Sequence, residues 1–426
     1  MYSVGTSSET AATRADAWGV SMRTLSRYTW LGPNVGSRIN TNLVIILTIL
    51  MINRLLHPLI KSRLFKGKTI LVLGPRQVGK TTLIQALLRV QNLPTLYLNA
   101  DLPTVRESLS DVGAEQLRTY LGTSQLVVID EAQRVKNIGL TLKIIHDMLP
   151  QVQVIATGSS AFELANEINE PLTGRKWEYR LFPISWQELI NHTHFLAARG
   201  QLENRLIYGM YPDILTSPGE ERRTLQELSS SYLFKDLLAF KGIRRPEVLE
   251  KLLRVLALQV GSEVSYNELS RLVEIDKITV ENYIRLLEQA FVVFRLLPLS
   301  WNLRNEINTS RKVYFYDNGI RNALIGNFSP LALRSDVGAL WENFLISERM
   351  KANHYQQAYG NGYFWRTHAQ QEIDYIEEYD GRLHAYEFKW NPKAKARFSK
   401  SFTGAYPDAT TKVISRDNFE EFLGCK

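Results

Sequence analysis

Residues Gly74 to Thr81 read G-P-R-Q-V-G-K-T. Two glycines with four residues between them, followed by Lys and Thr, are the residue types needed to wrap a backbone around phosphate oxygens. Gly74 and Gly79 let the chain curl so that its N–H groups face a phosphate. Lys80 reaches the β- and γ-phosphates, and the Thr81 hydroxyl ligates Mg²⁺. The nucleotide-contacting set is therefore Gly74, Pro75, Arg76, Gln77, Val78, Gly79, Lys80, Thr81 and Thr82, with ATP and Mg²⁺ as the expected cofactors. The loop requires a strand before it and a helix after it. TILVL (69–73) and TTLIQALL (81–88) supply them, and the helix N-terminus adds a favourable dipole.

Farther on, SQLVVIDEAQRV is an apolar strand that ends in two acids. Asp130 fits the acid that orients Mg²⁺, and Glu131 is placed to polarise an attacking water. QVQVIATGSS is a third strand with a polar tip. Thr157 and Ser159, with Ser160 as a further choice, are candidate sensors of the γ-phosphate, and helix capping is their alternative role. Arg175, in LTGRKWEYRL, is the candidate cationic finger or sensor, in cis or from a neighbouring subunit. Its alternative is a surface pair with Glu178. TLYLN (95–99) and WEYRL (177–181) complete an expected five-stranded parallel α/β sheet.

A second group of reactive residues lies near the C-terminus. Asp374 ends an alternating apolar segment, a tight turn is expected at Asp380-Gly381, and the next strand carries Glu387 and Lys389 in AYEFKW. Period-2 geometry puts Glu387 and Lys389 on one sheet face. Asp374 and Glu387 could hold a second Mg²⁺ or a Mn²⁺, with Glu342 on the preceding helix as a further ligand. Lys389 could then orient water or stabilise developing charge. Lys393, Lys395, Arg397 and Lys400 form a local basic run beside it. The alternative is an ion pair on a solvated strand in a fold used for docking or dimerisation.

Several blocks together resemble one family. GPRQVGKTTL, VVIDEAQRV, TGSSAFEL, LTGRKWEYRLFPISWQEL and YGMYPDIL look like the bacterial and archaeal AAA-type ATPases that carry a C-terminal domain of unknown function. The resemblance spans roughly residues 52 to 395 and implies a P-loop core of the additional-strand catalytic-glutamate type. Where that family often reads Arg-Arg in the loop, this chain has Arg76-Gln77, a change expected to be tolerated. The acid, hairpin, E-x-K arrangement resembles the PD-(D/E)xK nuclease superfamily, which implies a restriction-endonuclease-like α/β domain.

Between these regions the pattern is helical. PEVLEKLLRVLALQVG has Pro246 in its first turn and Gly261 as a stop, and SYNELSRLV opens with Ser265 and Glu268 as an expected capping box. ITVENYIRLLEQA and strand-like FVVFRLLPL follow, which reads as a winged helix. The outward side chains of its second short helix would be Lys277, Glu281, Asn282, Arg285 and Glu288. That mixture of signs suits a protein contact better than a DNA groove. GALWENFLISERMKAN should be an amphipathic helix with Leu340, Phe344, Leu345 and Met350 inward.

With 426 residues, the chain needs more than one core. The expected division is a disordered or non-native extension (1–50), a P-loop ATPase domain (51–215), a winged-helix module (216–300) and a nuclease-like domain (301–426). The net charge is +8, but residues 1–66 carry eight Arg or Lys against Glu9 and Asp16, so the remainder is nearly neutral. Any DNA or RNA footprint must therefore be local. The single Cys425 excludes an intrachain disulfide and fits a reducing, cytoplasmic setting. LVIILTILMI (43–52) is shorter than the roughly 20 residues of a membrane span, so none is expected. Met51 is expected as the natural start. Together the motifs predict an ATP-hydrolysing switch coupled to the other two modules, acting on nucleic acid, a protein partner or further copies of itself. The alternatives are a nucleotide-dependent, non-catalytic scaffold and a DEAQ-type helicase. The helicase lacks a second motor domain here.

Overall fold

Short apolar runs bounded by Gly, Pro and polar residues form the strands of the first sheet. The computed structural model describes residues 51–159, 171–233, 243, 245–299, 311–367 and 369–425. The expected extension over residues 1–50 and Ser160 lie outside these. Helix α1 (Leu56–Arg63) buries Leu56 and Ile60 and leads into β1 (Thr69–Leu73). The phosphate-loop sequence follows, then α2 (Lys80–Arg89). Strands β2 (Thr95–Asn99), β3 (Leu126–Asp130), β4 (Gln153–Gly158) and β5 (Lys176–Arg180) complete the sheet. Its order is β2-β3-β4-β1-β5, parallel throughout. The central strands β1, β3 and β4 are buried along their whole length, as a sheet covered on both faces requires. The C-terminal ends of β1, β3 and β4 thus gather the glycine loop, the acid pair and the polar tip at one edge.

Helix α3 (Trp186–Thr193) opens with a working capping box, in which Ser185 Oγ accepts from the Glu188 amide and Glu188 Oε2 accepts from the Ser185 amide. The middle of the chain contributes α4 (Pro246–Leu258), β6 (Glu263–Val264), α5 (Tyr266–Val273), α6 (Lys277–Gln289), β7 (Val293–Pro298) and β8 (Arg311–Phe315). Ser265 does stand at the N-cap of α5, but its side chain accepts no capping bond, so the expected box is not formed there. Asp276 instead caps α6 by accepting from the Thr279 amide.

The long helix α7 (Val337–Gln356) is followed by β9 (Asn361–Arg366), β10 (Glu372–Tyr379), β11 (Arg382–Phe388), α8 (Lys400–Ala405), β12 (Thr410–Ile414) and α9 (Phe419–Leu423). The tight turn falls where expected. Asp380 and Gly381 have φ values of 50° and 74°, the left-handed pair of a two-residue hairpin. One seven-stranded sheet, β12-β11-β10-β9-β7-β8-β6, runs across the boundary expected near residue 300. The join is the parallel pair β7–β9, Leu297 opposite Tyr363 and Pro298 opposite Phe364. Residues Asn53–Lys426 group as one compact unit.

Helix α7 departs from the amphipathic expectation. Leu340, Phe344 and Leu345 are buried as predicted and Met350 only partly so, but Trp341, Ile346, Glu348 and Lys351 are buried as well. The helix is enclosed on most sides because it lies between the two sheets' domains. Trp186 of α3 packs against Phe344, with ring centroids 5.8 Å apart, and Glu348 Oε2 accepts from the Trp186 amide at 2.6 Å. The Glu348–Lys351 pair, 2.6 Å apart and almost wholly buried, satisfies both charges inside that contact. Among the described residues no helix is long and apolar enough to cross a membrane.

Candidate functional site

The glycine loop is shaped by close approach and by left-handed backbone. A Cβ on Gly74 would sit 2.1 Å from the Leu181 carbonyl oxygen, so only glycine fits where the loop leaves β1 beside the end of β5. Gly79 has φ +89°, and Gln77 also lies in the left-handed region at +60°. Val78 is fully buried and pins the loop. Lys80 is buried, and its ammonium donates to the carbonyls of Gly74 at 2.8 Å and Pro75 at 2.9 Å. It therefore lies folded across the loop that it would share with a phosphate.

Thr81 and Asp130 come from different elements and meet. Thr81 Oγ1 donates to Asp130 Oδ2 at 3.1 Å. A hydroxyl and a carboxylate side by side at the loop are an oxygen-only donor set, which fits Mg²⁺. That ion would neutralise phosphate charge there when nucleotide is bound. Two further hydroxyls hold the same carboxylate, Tyr97 on Oδ2 and Thr157 on Oδ1. Burial, and then the negative Asp130, push the Tyr97 phenol well above its usual range, so it stays a donor.

Glu131 is placed by strain and by one side chain. Its φ is +54°, and its amide donates to Thr157 Oγ1 at 3.2 Å. Gln133 Nε2 donates to Glu131 Oε2 at 2.5 Å and to Ser159 Oγ at 3.1 Å. Thr157, on the strand between β1 and β3, and Ser159, just past its end, thus stand beside the two acids. Sequence reading missed Tyr97 and Gln133. The first alternates within an ordinary apolar strand. The second follows the acid pair without a pattern that marks it.

Arg175 is not brought to this edge. It precedes β5, and its carbonyl accepts from the Thr69 amide, at the start of β1 rather than at its loop end. Its guanidinium pairs with Asp147 at 2.9 Å instead of with Glu178, which Lys176 takes at 3.0 Å. An in-cis finger is therefore not formed, because β5 carries the residue in at the opposite end of the sheet.

The C-terminal residues do converge, but as a charge-paired cluster. Lys389 Nζ lies 2.8 Å from Glu387 Oε2 and 3.8 Å from Asp374 Oδ2. The Phe388 amide donates to that same Asp374 oxygen at 2.7 Å. Burial raises both carboxyls above their ordinary values, and for Glu387 the negative Asp374 adds to the effect. Burial opposes the Lys389 charge, yet the hydrogen bond to Glu387 and the pull of Asp374 keep its pKa above the ordinary value. Glu342 Oε1 accepts from Lys312 Nζ at 3.0 Å and from the Tyr314 hydroxyl at 2.6 Å. Burial drives the Glu342 carboxyl up to about 7 despite that lysine. Lys312 is itself buried and also pairs with Glu372.

Among the described residues, no three of His, Cys, Asp or Glu are gathered so as to hold a metal ion. The set Asp374, Glu387 and Glu342 does not fit one as arranged. An ammonium already stands where Asp374 and Glu387 point, and Lys312 and Tyr314 occupy Glu342. Lys312, absent from the sequence reading, is the reason Glu342 is turned to a different partner. Nothing in RKVYFYD distinguished it from a strand-end charge. Lys393, Lys395, Arg397 and Lys400 are all exposed on the segment after β11. On α6, Glu288 does not face outward. It grips Arg295 of β7 with both oxygens, at 2.8 and 2.6 Å.

Residues 66–190 match the family model described as an AAA domain. Residues 199–331 and 337–421 match two models described only as domains of unknown function, DUF8612 and DUF4143. An uncharacterized protein of Mycobacterium tuberculosis (strain ATCC 25618 / H37Rv) is 29% identical over 336 residues, covering 78% of this chain and 72% of that protein. Another, from Methanocaldococcus jannaschii, is 24% identical over 304 residues, covering 61% and 63%. Among solved structures, a Pif1 helicase from Candida albicans is 15% identical with a TM-score of 0.25, covering 42% of this chain and 48% of the helicase. A Drosophila ORC structure bound to AT-rich DNA and Cdc6 is 12% identical with a TM-score of 0.26, covering 66% of this chain and 93% of that one. At such scores neither carries an argument about this chain. Residues 66–190 therefore carry an AAA-type P-loop domain, joined to two domains described only as of unknown function.

Proposed function

We propose that the chain binds and hydrolyses ATP and acts as a nucleotide-dependent switch on its C-terminal half. The observation that carries this reading is the Thr81–Asp130 contact at 3.1 Å, beside a buried Lys80 folded over its own loop. Lys80 and the loop amides bind the phosphates. Thr81 and Asp130 hold Mg²⁺, which supplies charge neutralisation at the phosphates. Glu131, oriented by Gln133, polarises water, while Thr157 and Ser159 report on the γ-phosphate. Arg175 would serve as a finger only from a neighbouring subunit. The middle helices, with β6 and the β7–β8 hairpin, support a winged helix. Its α6 face, mixed in sign and with Glu288 engaged, favours a protein contact over a DNA groove. The test is phosphate release from ATP with Mg²⁺. Glu131→Gln should bind ATP and release none, and Lys80→Ala should not bind. A Glu131→Gln variant that turns over ATP at the wild-type rate refutes the assignment.

The convergence of Asp374, Glu387 and Lys389 next to an exposed basic segment supports a second reading, cleavage of DNA or RNA by the C-terminal domain. Their mutual pairing supports the rival, a docking scaffold of nuclease-like fold. Plasmid, linear duplex, single-stranded DNA and RNA incubated with Mg²⁺ or Mn²⁺, with and without ATP, separate the two. Cleavage that Lys389→Ala abolishes establishes the nuclease.

A further inference from the structure

Arg54, just ahead of α1, plays no part in the chemistry described above, yet its guanidinium is buried at the centre of the loop's support. Nη1 donates to the Val78 carbonyl of the phosphate loop at 2.5 Å. Nη2 donates to the Phe182 carbonyl at 2.5 Å, and Nε pairs with Glu188 of α3 at 3.1 Å. Nη2 also reaches the Tyr355 hydroxyl of α7 at 3.4 Å. A planar fork with five donors can serve four segments at once, and lysine could not.

Residues 180–182 are held from both sides. The Leu181 amide turns inward to the Leu73 carbonyl at 2.7 Å, where Gly74 begins the loop. The amides of Arg180 and Phe182, pointing the other way by the alternation of a strand, are taken by α7. His354 Nε2 accepts from Arg180 at 2.9 Å, and the Tyr355 hydroxyl accepts from Phe182 at 3.2 Å. The same helix carries Glu342 into the Lys312 cluster, roughly 20 Å away at 1.5 Å per residue. A phosphate in the loop competes with the Gly74 and Pro75 carbonyls for Lys80, so binding must change the loop that Arg54 grips.

We infer that Arg54 is a positioning residue for the nucleotide loop, and that Arg54, His354 and Tyr355 transmit the loop's state to α7 and so to the Glu342 cluster. The regulatory half of this inference rests on the proposed ATP site. The first half does not.

The test is amide hydrogen exchange on the full chain. Arg54→Ala would strand Glu188 without its cation and risks unfolding, so the variants are Tyr355→Phe and His354→Leu/Tyr355→Phe. Without nucleotide, exchange across residues 74–82 should quicken about five-fold in Tyr355→Phe, the ratio for a lost hydrogen bond of ~1 kcal/mol, and further in the double variant. Unchanged rates in both overturn the inference. With ATP and Mg²⁺ in a Glu131→Gln background, residues 74–82 and 350–357 should both change, and the second change should vanish in the double variant. Protection of 74–82 alone overturns the transmission. If ATP alters neither segment, the ATP reading fails, and the nucleotide-free comparison still decides the role of the brace.

Discussion

Tyr97 and Thr81, one from β2 and one from α2, donate to the same oxygen, Oδ2 of Asp130. An ion held by Thr81 and Asp130 would draw on a carboxylate that already accepts from the phenol. Tyr97→Phe should therefore lower the Mg²⁺ concentration that half-saturates ATP hydrolysis, while costing about 1 kcal/mol of stability for the lost buried hydrogen bond. Initial rates across a Mg²⁺ series test this. A higher Mg²⁺ requirement would mean that the hydroxyl positions Asp130 for the ion.

Gly74→Ala should damage the loop at its root. The added Cβ would stand 2.1 Å from backbone, not from a flexible side-chain end, so β1 and β5 must separate. A loss of about 1–3 kcal/mol is expected from such overpacking. The ATP-induced rise in melting temperature should go with it. For the wild type, ligand at 100 times Kd stabilises by about 2.7 kcal/mol. Thermal melts with and without ATP measure both, and a variant that melts and responds like the wild type contradicts the close approach.

The β5–α7 contact should weaken in acid. Burial, and then the adjacent positive Arg180, lower the His354 pKa from 6.5 to about 4, with Glu178 pulling weakly the other way. Between those values the unfolded chain takes up a proton that the folded chain refuses. Stability is therefore full above about 6.5, falls as pH drops toward 4, and levels off below. A shift of that size corresponds to about 3 kcal/mol. His354→Gln keeps an acceptor for the Arg180 amide and removes the titration. Its urea midpoints between pH 4.5 and 7 should slope less than those of the wild type. Parallel slopes would show that His354 titrates normally.

Lys389 acts in this geometry as a built-in cation for Asp374 and Glu387. Lys389→Met should leave buried Glu387 and half-buried Asp374 without it. Mn²⁺ uptake followed by calorimetry should rise in the variant, and without Mn²⁺ its stability should fall modestly, since the half-exposed lysine is partly screened by solvent. If the wild type already binds Mn²⁺ and the variant binds no better, the lysine does not fill the ion's place, and the nuclease reading gains.

The parts of this molecule that were legible in sequence depend on neighbours along the chain. TILVL before the glycines and LVVID before Glu131 announce buried parallel strands, because both sheet faces demand apolar residues. Asp380-Gly381 announces its turn, because two left-handed residues in a row need those types. Arg54 gave no such signal. Its partners lie 24, 128, 134 and 301 residues away, and nothing in INRLLHP distinguishes it from the other arginines of the basic N-terminal stretch. Arg175 shows the converse limit. A Gly-Arg pair suggested a finger in cis or in trans, but the direction of β5 decides which end of its own sheet an arginine reaches. Glu387 and Lys389 share a face as period 2 requires. What period 2 could not show is that Glu342 would be taken by Lys312 and Tyr314, which come from β8 and not from residues adjacent in sequence.

The distance in sequence between Arg54 and Tyr355 also has a meaning in time. A chain synthesised from its N-terminus completes all five strands of the parallel sheet once residue 180 has emerged. The first sheet can then fold while the rest is still being made. Once residue 188 has followed, Arg54 can reach Val78, Phe182 and Glu188, but the outer amides of Arg180 and Phe182 are still open at the loop end of β5, an edge strand. Such an edge invites pairing with other chains until it is covered. Helix α7 arrives more than 150 residues later and takes the Arg180 and Phe182 amides, at the loop end of that edge, with His354 and Tyr355. The nucleotide loop thus gains this support only after residue 355 has been made, so a polypeptide released earlier would carry the whole phosphate-binding sequence without it.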